Sequence, residues 1–379
     1  MYLVGGAVRD LLLGRAAVDL DLAVEGDGVA FGRALARQLG ATARVHERFG
    51  TAALELADGS RFDIASTRAE TYEAAGALPR VTRSSLAPDL ARRDFTINAM
   101  ALRISPGRPA LVDPFGGRQD IERRLIRMLH PGSPKDDPTR AFRAVRYANR
   151  LRFRIESKTR DWIAGALESG AFEAISGDRL RRELVLLFSE ENRARAVALL
   201  LRVGLFCALE PTLSRDRRLL SCLRRAEKIA GRHPGKTTWF LYLLVWAGGL
   251  DDGGVLRLCR RLALAGEDEA ALLRWPATLA DLTAEASRIT PSHALGRGLS
   301  RDEIGAVAAL TASRRLERAL AALETRLAVR GRDLLAAGVP AGPRVGQALR
   351  ATLAALRDGR ISRKEELAFA LRTALSEAS

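Results

Sequence analysis

Two aspartates, Asp19 and Asp21, lie one residue apart in the apolar stretch "VDLDLAV" (18–24). Residues two apart in a β-strand point to the same face, so this stretch predicts a strand that holds two carboxylates side by side. Like charges so close repel each other unless a cation lies between them. Mg²⁺ suits these oxygen ligands, because it binds one or two carboxylates and completes its shell with water and phosphate oxygens. The spacing therefore predicts a magnesium site.

Two glycines shortly before the aspartates predict a site for phosphate. Gly5 and Gly6 lead into a short predicted helix over "VRDLLLG" (8–14). Exposed N–H groups at such a helix start bind phosphate oxygens, and Arg9 adds positive charge there. A phosphate site beside a metal pair is what nucleotidyl transfer by two metal ions requires. Each motif taken alone is also compatible with a solvated strand edge after a turn.

The elements that must position these residues form a mixed region of strands and helices. Apolar spacing predicts strands at 2–6 and 18–24 and a helix over 27–40. Alternation over 51–67 around an Asp-Gly turn predicts a hairpin. Residues 68–90 contain a glycine and two prolines and show no clear period, which predicts a loop.

From about residue 120 onward the pattern is helical almost throughout. We therefore predict an α+β fold, in which a small mixed sheet with helices forms a head that is followed by an all-helical neck, body and tail. The predicted boundaries are 1–125 for the head, 126–190 for the neck, 191–270 for the body and 271–379 for the tail.

The positive charge of the chain lies almost wholly in its last two-thirds. The 379 residues carry a net charge of +16, from 61 Lys and Arg against 45 Asp and Glu. Residues 1–130 hold 18 of these bases and 16 of these acids, so the remainder holds 43 and 29. Such an excess predicts a polyanionic partner, in particular nucleic acid, for the C-terminal part.

Cysteine usage and hydropathy exclude several other classes. Cys207, Cys222 and Cys259 have no short Cys-x-x-Cys spacing, and we predict that they are buried small hydrophobes and neither disulfides nor zinc ligands. The start of the chain resembles no signal peptide. The apolar stretch "WFLYLLVWAGG" (239–249) is too short to span a bilayer and predicts a core helix. We expect a cytoplasmic protein with no membrane partner.

Five stretches, in order along half of the chain, resemble the five signatures of class II tRNA nucleotidyltransferases and bacterial poly(A) polymerases, a branch of the polymerase-β-like superfamily. They are "GGAVRDLLLGRAAVDLDLAV" (5–24), "LARRDFTINAMAL" (90–102), "LVDPFGGRQDI" (111–121), "HPGSPKDDPTRAFRAVRYANRLRFRI" (130–155) and "SGDRLRRELVLLF" (176–188). The resemblance implies a polymerase-β-like nucleotidyltransferase head, a neck that holds the nucleotide-base pocket and a tail that binds tRNA.

The resemblance also assigns roles in the first two signatures. Asp19 and Asp21 match the carboxylates that bind Mg²⁺ and activate the 3′-hydroxyl of RNA. Asp63, on the strand after the Asp-Gly turn, is a candidate for a nearby third metal-binding acid.

The second signature matches residues that contact the sugar and the phosphates of the nucleotide. Arg93 matches a triphosphate contact, while Asp94 and Asn98 match groups that recognise the ribose. The spacing of four residues places Asp94 and Asn98 on one face if this segment is helical.

The fourth signature matches the residues that select the incoming base. Family members select it with an Asp and an Arg, which correspond in "DDPTR" to Asp137 and Arg140. An aspartate accepts from an exocyclic amine and a guanidinium donates to ring acceptors, so the pair favours cytosine or adenine. Asp136 occupies a position where the family usually has glutamate. The aspartate side chain is shorter, so its carboxylate does not extend as far as that of a glutamate. Arg143 shares the predicted helix face of Arg140, and Arg179 in the fifth signature supports the pocket.

The stretch 67–81 resembles the flexible segment with which CCA-adding and A-adding enzymes switch their pocket, and it argues against a CC-only enzyme. The chain begins a few residues before the first signature, and none of its 4 histidines stands in a His-Asp dipeptide. We therefore expect no N-terminal helix before the head, no appended metal-dependent phosphohydrolase domain and no functional histidine.

Together these features predict template-independent addition of C and A nucleotides to the 3′ end of tRNA from CTP and ATP, with Mg²⁺ and release of pyrophosphate. The basic stretch 214–236 is a candidate surface for the tRNA acceptor stem, and 317–338 is a candidate tail helix that reaches the tRNA elbow. An A-adding enzyme that needs a separate CC-adding enzyme and a bacterial poly(A) polymerase stay open as alternatives. The aspartate pair disfavours a non-catalytic RNA-binding protein, and the basic helical part disfavours a small-molecule nucleotidyltransferase.

Overall fold

The computed structural model describes most of the chain, in two compact units. The described residues are 1–16, 20–47, 50–71, 80–105, 107–232 and 239–376. The first unit comprises residues 1–191 and 195–209, and the second comprises 192–194 and 210–379. Within the described ranges, no helix is both long and apolar enough to cross a bilayer. The finer division into head, neck, body and tail stays a prediction.

The first part of the chain alternates strands with helices. Its strands are β1 (Tyr2–Val4), β2 (Leu20–Val24), β3 (Thr42–His46), β4 (Thr51–Glu55), β5 (Arg61–Ser66), β6 (Arg68–Thr71), β7 (Arg80–Arg83), β8 (Ala101–Arg103), β9 (Ala110–Val112), β10 (Leu125–Ile126) and β11 (Arg154–Ile155). Its helices are α1 (Gly6–Leu12), α2 (Gly28–Leu39), α3 (Leu86–Ala91), α4 (Gly117–Glu122), α5 (Ser133–Asp136), α6 (Thr139–Leu151), α7 (Ser157–Glu168), α8 (Gly177–Ser189) and α9 (Arg193–Arg202). Among the described residues, 3₁₀ turns lie at Thr96–Asn98, Ala171–Ala174 and Leu205–Ala208.

A seven-stranded mixed sheet forms the scaffold of the first unit, in the order β3-β4-β5-β2-β1-β8-β9. Strands β2 and β5 are parallel, and the other neighbours in this sheet are antiparallel. One side of the sheet packs on α3, where Val4, Leu86 and Leu90 belong to a common apolar cluster. The predicted α+β class, with a small mixed sheet in the head and a mostly helical remainder, is therefore confirmed.

The local predictions around the hairpin and the long head helix are confirmed. Strands β4 and β5 pair antiparallel across the predicted turn, where Gly59 adopts φ +83°. Helix α2 begins after Asp27, whose carboxylate accepts a hydrogen bond from the Ala30 N–H, and it ends at Gly40 in the left-handed region. These are the residue types that begin and end helices, because they pair the terminal N–H and C=O groups.

The predicted loop over residues 68–90 is wrong for the described residues. Strands β6 and β7 pair antiparallel, and helix α3 follows them. Glu70 accepts hydrogen bonds from Arg68 at 3.2 Å and from Arg92 at 2.8 Å. Because neither strand has a buried residue, the sequence lacks the apolar alternation by which strands are predicted. Residues 72–79 of the predicted flexible segment lie outside the described residues.

The helical region that follows differs from the prediction at two positions. The short strands β10 and β11 pair in parallel and interrupt the all-helical pattern. Cys207 is exposed in a 3₁₀ turn, because Leu205 and Phe206 take the buried positions there. Cys222 and Cys259 are buried free thiols as predicted, and burial raises the pKa of Cys259 to about 11.

The second unit is built of helices in its described residues. They are α10 (Arg217–Arg232), α11 (Trp239–Ala247), α12 (Asp252–Arg261), α13 (Gly266–Leu273), α14 (Trp275–Glu285), α15 (Pro291–Gly296), α16 (Arg301–Thr311), α17 (Arg314–Ala322), α18 (Gly331–Ala336), α19 (Pro343–Arg357) and α20 (Glu366–Ser376), with a 3₁₀ turn at Arg363–Glu365. Helix α11 has all its residues after Trp239 buried, so the predicted core helix is confirmed.

The predicted continuous tail helix over 317–338 is wrong. Helix α17 ends at Ala322, and α18 begins only at Gly331. The buried Glu366 carboxylate accepts hydrogen bonds from the N–H groups of Ala328 at 2.7 Å and Val329 at 3.2 Å. A contact with a helix later in the chain therefore takes backbone donors that a continuous helix would have used.

Candidate active site

A polar cavity of about 630 Å³ lies in the first unit. It brings together ten of the residues singled out in the sequence, namely Gly5, Gly6, Arg9, Asp21, Arg93, Asp94, Asn98, Asp137, Arg140 and Arg143. Sequence reasoning missed eight other lining residues, namely Ala7, Asp10, Glu70, Arg92, Thr139, Tyr147, Arg150 and Glu183. Residues more than a hundred positions apart in the sequence thus form one site.

The sheet places two carboxylates side by side at the edge of this cavity. Asp21 on β2 is the register partner of Asp63 on the parallel strand β5. Asp21 lines both this cavity and a smaller neighbouring cavity of about 320 Å³, whereas Asp63 lines only the smaller one. Asp19 lies outside the described residues, so its place beside Asp21 stays a prediction. In the described part of the chain, which lacks Asp19, no group of three or more potential ligands is gathered.

A glycine is required at the turn between β1 and α1. Gly5 has φ +70°, and a Cβ atom at this position would lie 2.7 Å from an Arg93 Nη atom and 3.8 Å from an Asp21 Oδ atom. No real Cβ tolerates the first distance, so the absence of a side chain lets the Arg93 guanidinium approach the turn. Arg93 also donates to Asp89 at 3.0 Å, and this fixes the guanidinium beside the start of α1.

A continuous hydrogen-bonded group, which we name the Asp94 cluster, consists of Arg9, Asp94, Asn98 and Arg143. Arg9 donates to Asn98 Oδ1 at 2.7 Å, and Asn98 donates to Asp94 Oδ1 at 2.9 Å. Arg143 donates to Asp94 Oδ2 through two nitrogens, at 2.9 and 2.6 Å. Burial opposes ionisation of Asp94, but Arg143 and Asn98 outweigh it and hold the pKa of this carboxyl below its ordinary value.

The expected proximity of Asp94 and Asn98 is correct, although the segment is not an α-helix. Residues Thr96–Asn98 form a 3₁₀ turn, and the Asn98 side chain folds back to Asp94. Arg9 also donates to both carboxylate oxygens of Asp10, at 2.9 and 2.8 Å. The Arg9 guanidinium is therefore fixed by the protein itself, although it faces the cavity.

A second group, which we name the Asp137 cluster, consists of Asp137, Arg140, Arg179 and Glu183. Arg179 donates to Asp137 Oδ1 at 2.7 Å, so this predicted residue acts on the cavity through Asp137. Arg140 is buried and donates to Ser133 Oγ at 2.9 Å and to the Arg92 carbonyl at 2.7 Å. These contacts fix both predicted base-selecting residues before any ligand is present.

The unusual Asp136 lies next to a histidine. Its carboxylate is 3.8 Å from His130 Nε2, and burial lowers the pKa of that histidine although Asp136 opposes the shift. The hydrogen bonds to Ser133 and to the Arg92 carbonyl hold Arg140 in place. The position of Arg140 therefore does not depend only on whether the short Asp136 side chain can reach it.

Helix α6 presents one continuous face to the cavity. Arg140, Arg143, Tyr147 and Arg150 follow one another at intervals of three or four residues and all line it. The Tyr147 ring lies within 6.0 Å of four guanidinium groups, the closest being that of Arg9 at 5.2 Å. The helical spacing from Arg140 onward is the signal by which sequence reasoning would have found Tyr147 and Arg150.

Comparison with known proteins identifies the class first. Residues 1–127 match the family described as the poly A polymerase head domain, which is a nucleotidyltransferase domain. The chain is 36% identical to the A-adding tRNA nucleotidyltransferase of Geobacter sulfurreducens, over 99% of this chain and 45% of that protein. It is also 36% identical to the CC-adding tRNA nucleotidyltransferase of Deinococcus radiodurans, over 99% of this chain and 89% of that protein.

A solved structure agrees with these relatives. The CCA-adding enzyme of Thermotoga maritima complexed with tRNA superimposes with a TM-score of 0.79 and 29% identity, over 100% of this chain and 91% of that one. The chain belongs to the tRNA nucleotidyltransferase family. It spans less than half the length of several curated relatives that it matches, the Geobacter protein included.

Proposed function

We propose that the protein adds C, C and A to the 3′ end of tRNA, without a nucleic-acid template, from CTP and ATP and with release of pyrophosphate. The observation that carries this proposal is the cavity itself. Side chains fixed by the protein surround it, and Asp137 and Arg140 stand beside the Asp94 cluster. A base read by such side chains needs no complementary strand.

The carboxylates at the sheet edge are proposed to hold Mg²⁺. Asp21 and Asp63 offer only oxygen ligands, and we propose that Asp19, two positions before Asp21 in the sequence, supplies another. A bound Mg²⁺ lowers the pKa of a coordinated hydroxyl and neutralises phosphate charge. The parallel pairing of β2 and β5 keeps the two carboxylates next to each other despite their mutual repulsion.

The triphosphate of the nucleotide is proposed to lie beside this edge, because the turn at Gly5 is next to Asp21. The turn at Gly5 and Gly6 and the Arg93 guanidinium bind the triphosphate, and the Asp94 cluster orients the ribose. In this arrangement Arg9 positions Asn98, since its hydrogen bonds go to Asn98 and Asp10. The RNA 3′-hydroxyl attacks the α-phosphate, and pyrophosphate leaves towards the glycine turn.

Base selection is assigned to the Asp137 cluster. The Oδ1 atom of Asp137 is taken by Arg179 and Thr139, while no described residue donates to Oδ2. That oxygen can accept from the exocyclic amine of cytosine or adenine, and Arg140 can donate to a ring acceptor. Uracil and guanine present a carbonyl oxygen where the amine would stand, so the pair rejects them.

The second unit is proposed to hold the tRNA. On α10, Arg217, Arg218 and Arg224 are exposed, whereas Leu219 and Leu223 are buried. Such a basic face contacts phosphates and A-form shape, because the deep RNA major groove is closed to side chains. We assign the acceptor stem to this helix and the elbow to the tail helices.

An enzyme that adds only the terminal A is the second candidate. It is favoured by the name of the Geobacter relative, to which the chain is similar over 99% of its length. Such an enzyme would depend on a separate CC-adding enzyme in the same cell.

The test is a nucleotide-extension assay on three tRNA transcripts, which end at the discriminator base, after the first C or after the second C. Each transcript receives CTP, ATP or both with Mg²⁺. Completion of all three ends with both nucleotides supports the proposal. Extension of only the CC-ended transcript, and only with ATP, establishes the second candidate, and a long ladder on ATP indicates a poly(A) polymerase. The absence of any extension contradicts every one of these assignments.

A further inference from the structure

Two glutamates of the α8 region are equally buried but differ in their hydrogen bonds. Glu183 and Glu190 are each 9% exposed. Arg150 donates to both carboxylate oxygens of Glu190. Glu183 accepts no hydrogen bond from any described residue, and its Oε2 atom is fully shielded by protein. A buried carboxylate without donors is rare in folded proteins and requires an explanation.

The nearest cation does not satisfy Glu183. The Arg146 guanidinium lies 3.8 Å from Glu183 Oε2, which is too far for a hydrogen bond. Arg146 is itself 7% exposed, and its Nε atom also lacks a partner among the described residues. Burial raises the pKa of Glu183 because this arginine compensates only part of the lost hydration. The wall of the cavity therefore contains a buried carboxylate oxygen that accepts no hydrogen bond from a described residue.

The position of Glu183 indicates which ligand group would match it. Glu183 lies one helical turn after Arg179, the residue that holds Asp137, and both carboxylates line the cavity. Asp137 is also among the charges that act on Glu183. Two residues with carboxylates that are not fully paired thus line the cavity in which the base is proposed to lie.

We infer that Glu183 is a further specificity-determining residue, which accepts one N–H of the exocyclic amine of the incoming base while Asp137 accepts the other. The inference rests on the proposed function, since it concerns the same nucleotide site. An exocyclic amine carries two N–H donors, and the cavity offers two acceptors for them. A carbonyl oxygen in the same place would face two carboxylates with no hydrogen between them, so uracil and guanine are rejected by repulsion as well as by the loss of a bond.

The test compares ATP with purine riboside triphosphate, which differs only in lacking the 6-amino group, on a CC-ended tRNA. The kcat/KM ratio of the two nucleotides is measured for the wild type, Glu183→Gln and Glu183→Leu. The wild type should prefer ATP, and Glu183→Leu should lower that preference on the order of tenfold, with Glu183→Gln between them. An equal loss of kcat/KM for both nucleotides would show that Glu183 only supports the fold, and would overturn the inference.

Glu190→Gln is the matched control, because Glu190 has the same burial and directly follows the helix that carries Glu183 but does not line the cavity. This control should lower Tm and leave the nucleotide ratio at the wild-type value. Glu183→Gln should keep or raise Tm, since it removes a buried charge that has no donors. A fall in Tm as large as that of Glu190→Gln would contradict the assignment.

A binding measurement separates this inference from the proposed function. Calorimetric titration of the wild type and Glu183→Leu with ATP and with purine riboside triphosphate requires no turnover. If the wild type extends no tRNA but the binding ratio changes in the variant, the proposed function fails and the role of Glu183 stands. If tRNA is extended and both ratios are unchanged, the role of Glu183 fails alone.

Discussion

The Asp94 cluster and the Asp137 cluster lie on the same cavity but differ in how completely their charges are paired. Both oxygens of Asp94 accept from Asn98 or Arg143, so this group is complete without a ligand. In the Asp137 cluster, one oxygen of Asp137 and the whole carboxylate of Glu183 lack donors among the described residues. The first arrangement suits a part that every nucleotide shares, and the second suits a part that differs between nucleotides.

The largest expected effect concerns neither cluster but the sheet edge that both depend on. Asp21→Ala should lower transfer by at least about a hundredfold, because it removes a proposed metal-binding carboxylate. It should leave Tm nearly unchanged, since it also removes the repulsion between Asp21 and its register partner Asp63. Extension assays and thermal melts measure the two effects. Asp58→Ala, in the exposed hairpin turn, is the control, and normal turnover by Asp21→Ala would refute the metal assignment.

Breaking the complete cluster should affect stability first. Asp94→Asn leaves the half-buried Arg143 without its paired carboxylate, and we expect a loss of about 2 kcal/mol in the free energy of unfolding. The pKa of Asp94 is held below its ordinary value of 3.8 in the folded state, so its contribution is present above that pH and disappears as the pH falls through the folded pKa.

Urea titrations of the wild type and Asp94→Asn at several pH values measure this contribution. The difference between the two proteins should be largest near neutrality and should shrink in acid below about pH 4. A difference that stays constant across this range would show that the Asp94 charge does not stabilise the fold.

Breaking the incomplete cluster should affect selectivity more than stability. Arg140→Ala should lower the preference for CTP and ATP over UTP and GTP on the order of tenfold while some transfer remains, because a guanidinium that donates to the ring is lost. The comparison of kcat/KM for the four nucleotides measures it. Unchanged selectivity would mean that "DDPTR" does not choose the base.

The smallest expected effects lie on the second unit. Three single substitutions test the basic face, namely Arg217→Ala, Arg218→Ala and Arg224→Ala. Each should lower the slope of log K for tRNA binding against log salt concentration by about one, which corresponds to one released ion, and should leave Tm unchanged. Arg225→Ala is the matched control on the same helix, because its Nε atom donates to the Ala309 carbonyl at 2.6 Å. That variant should lower Tm instead, and equal salt slopes for all four variants would show that α10 does not contact tRNA.

The residues predicted from the sequence are those with a local pattern. Gly5 and the spacing of Asp94 and Asn98 were found because a turn and a short segment contain the whole signal. Glu70 and Glu183 were missed because their roles depend on partners far away in the sequence. Arg92, for example, follows helix α3 and lies 22 positions after Glu70.

The wrong element predictions have the same cause. The hairpin of β6 and β7 carries no apolar alternation, since none of its strand residues is buried. The sequence between 317 and 338 predicts a continuous tail helix, because it contains no sign of the contact with Glu366. The Glu366 carboxylate accepts a hydrogen bond from the Ala328 N–H and so interrupts the helix. Secondary-structure propensity describes the conformation that a segment prefers in isolation. The conformation of these two segments is determined by tertiary contacts instead.

The parallel pairing of β2 and β5 sets the spacing between the two carboxylates, Asp21 and Asp63. Five consecutive residue pairs are in register, and those that follow Asp21 and Asp63 include Leu22 and the fully buried Ile64. A slip of one residue would turn one aspartate to the opposite face of the sheet. Substitutions of the apolar residues beneath the strands would therefore alter the spacing of the two carboxylates, because the packing of the core sets that spacing.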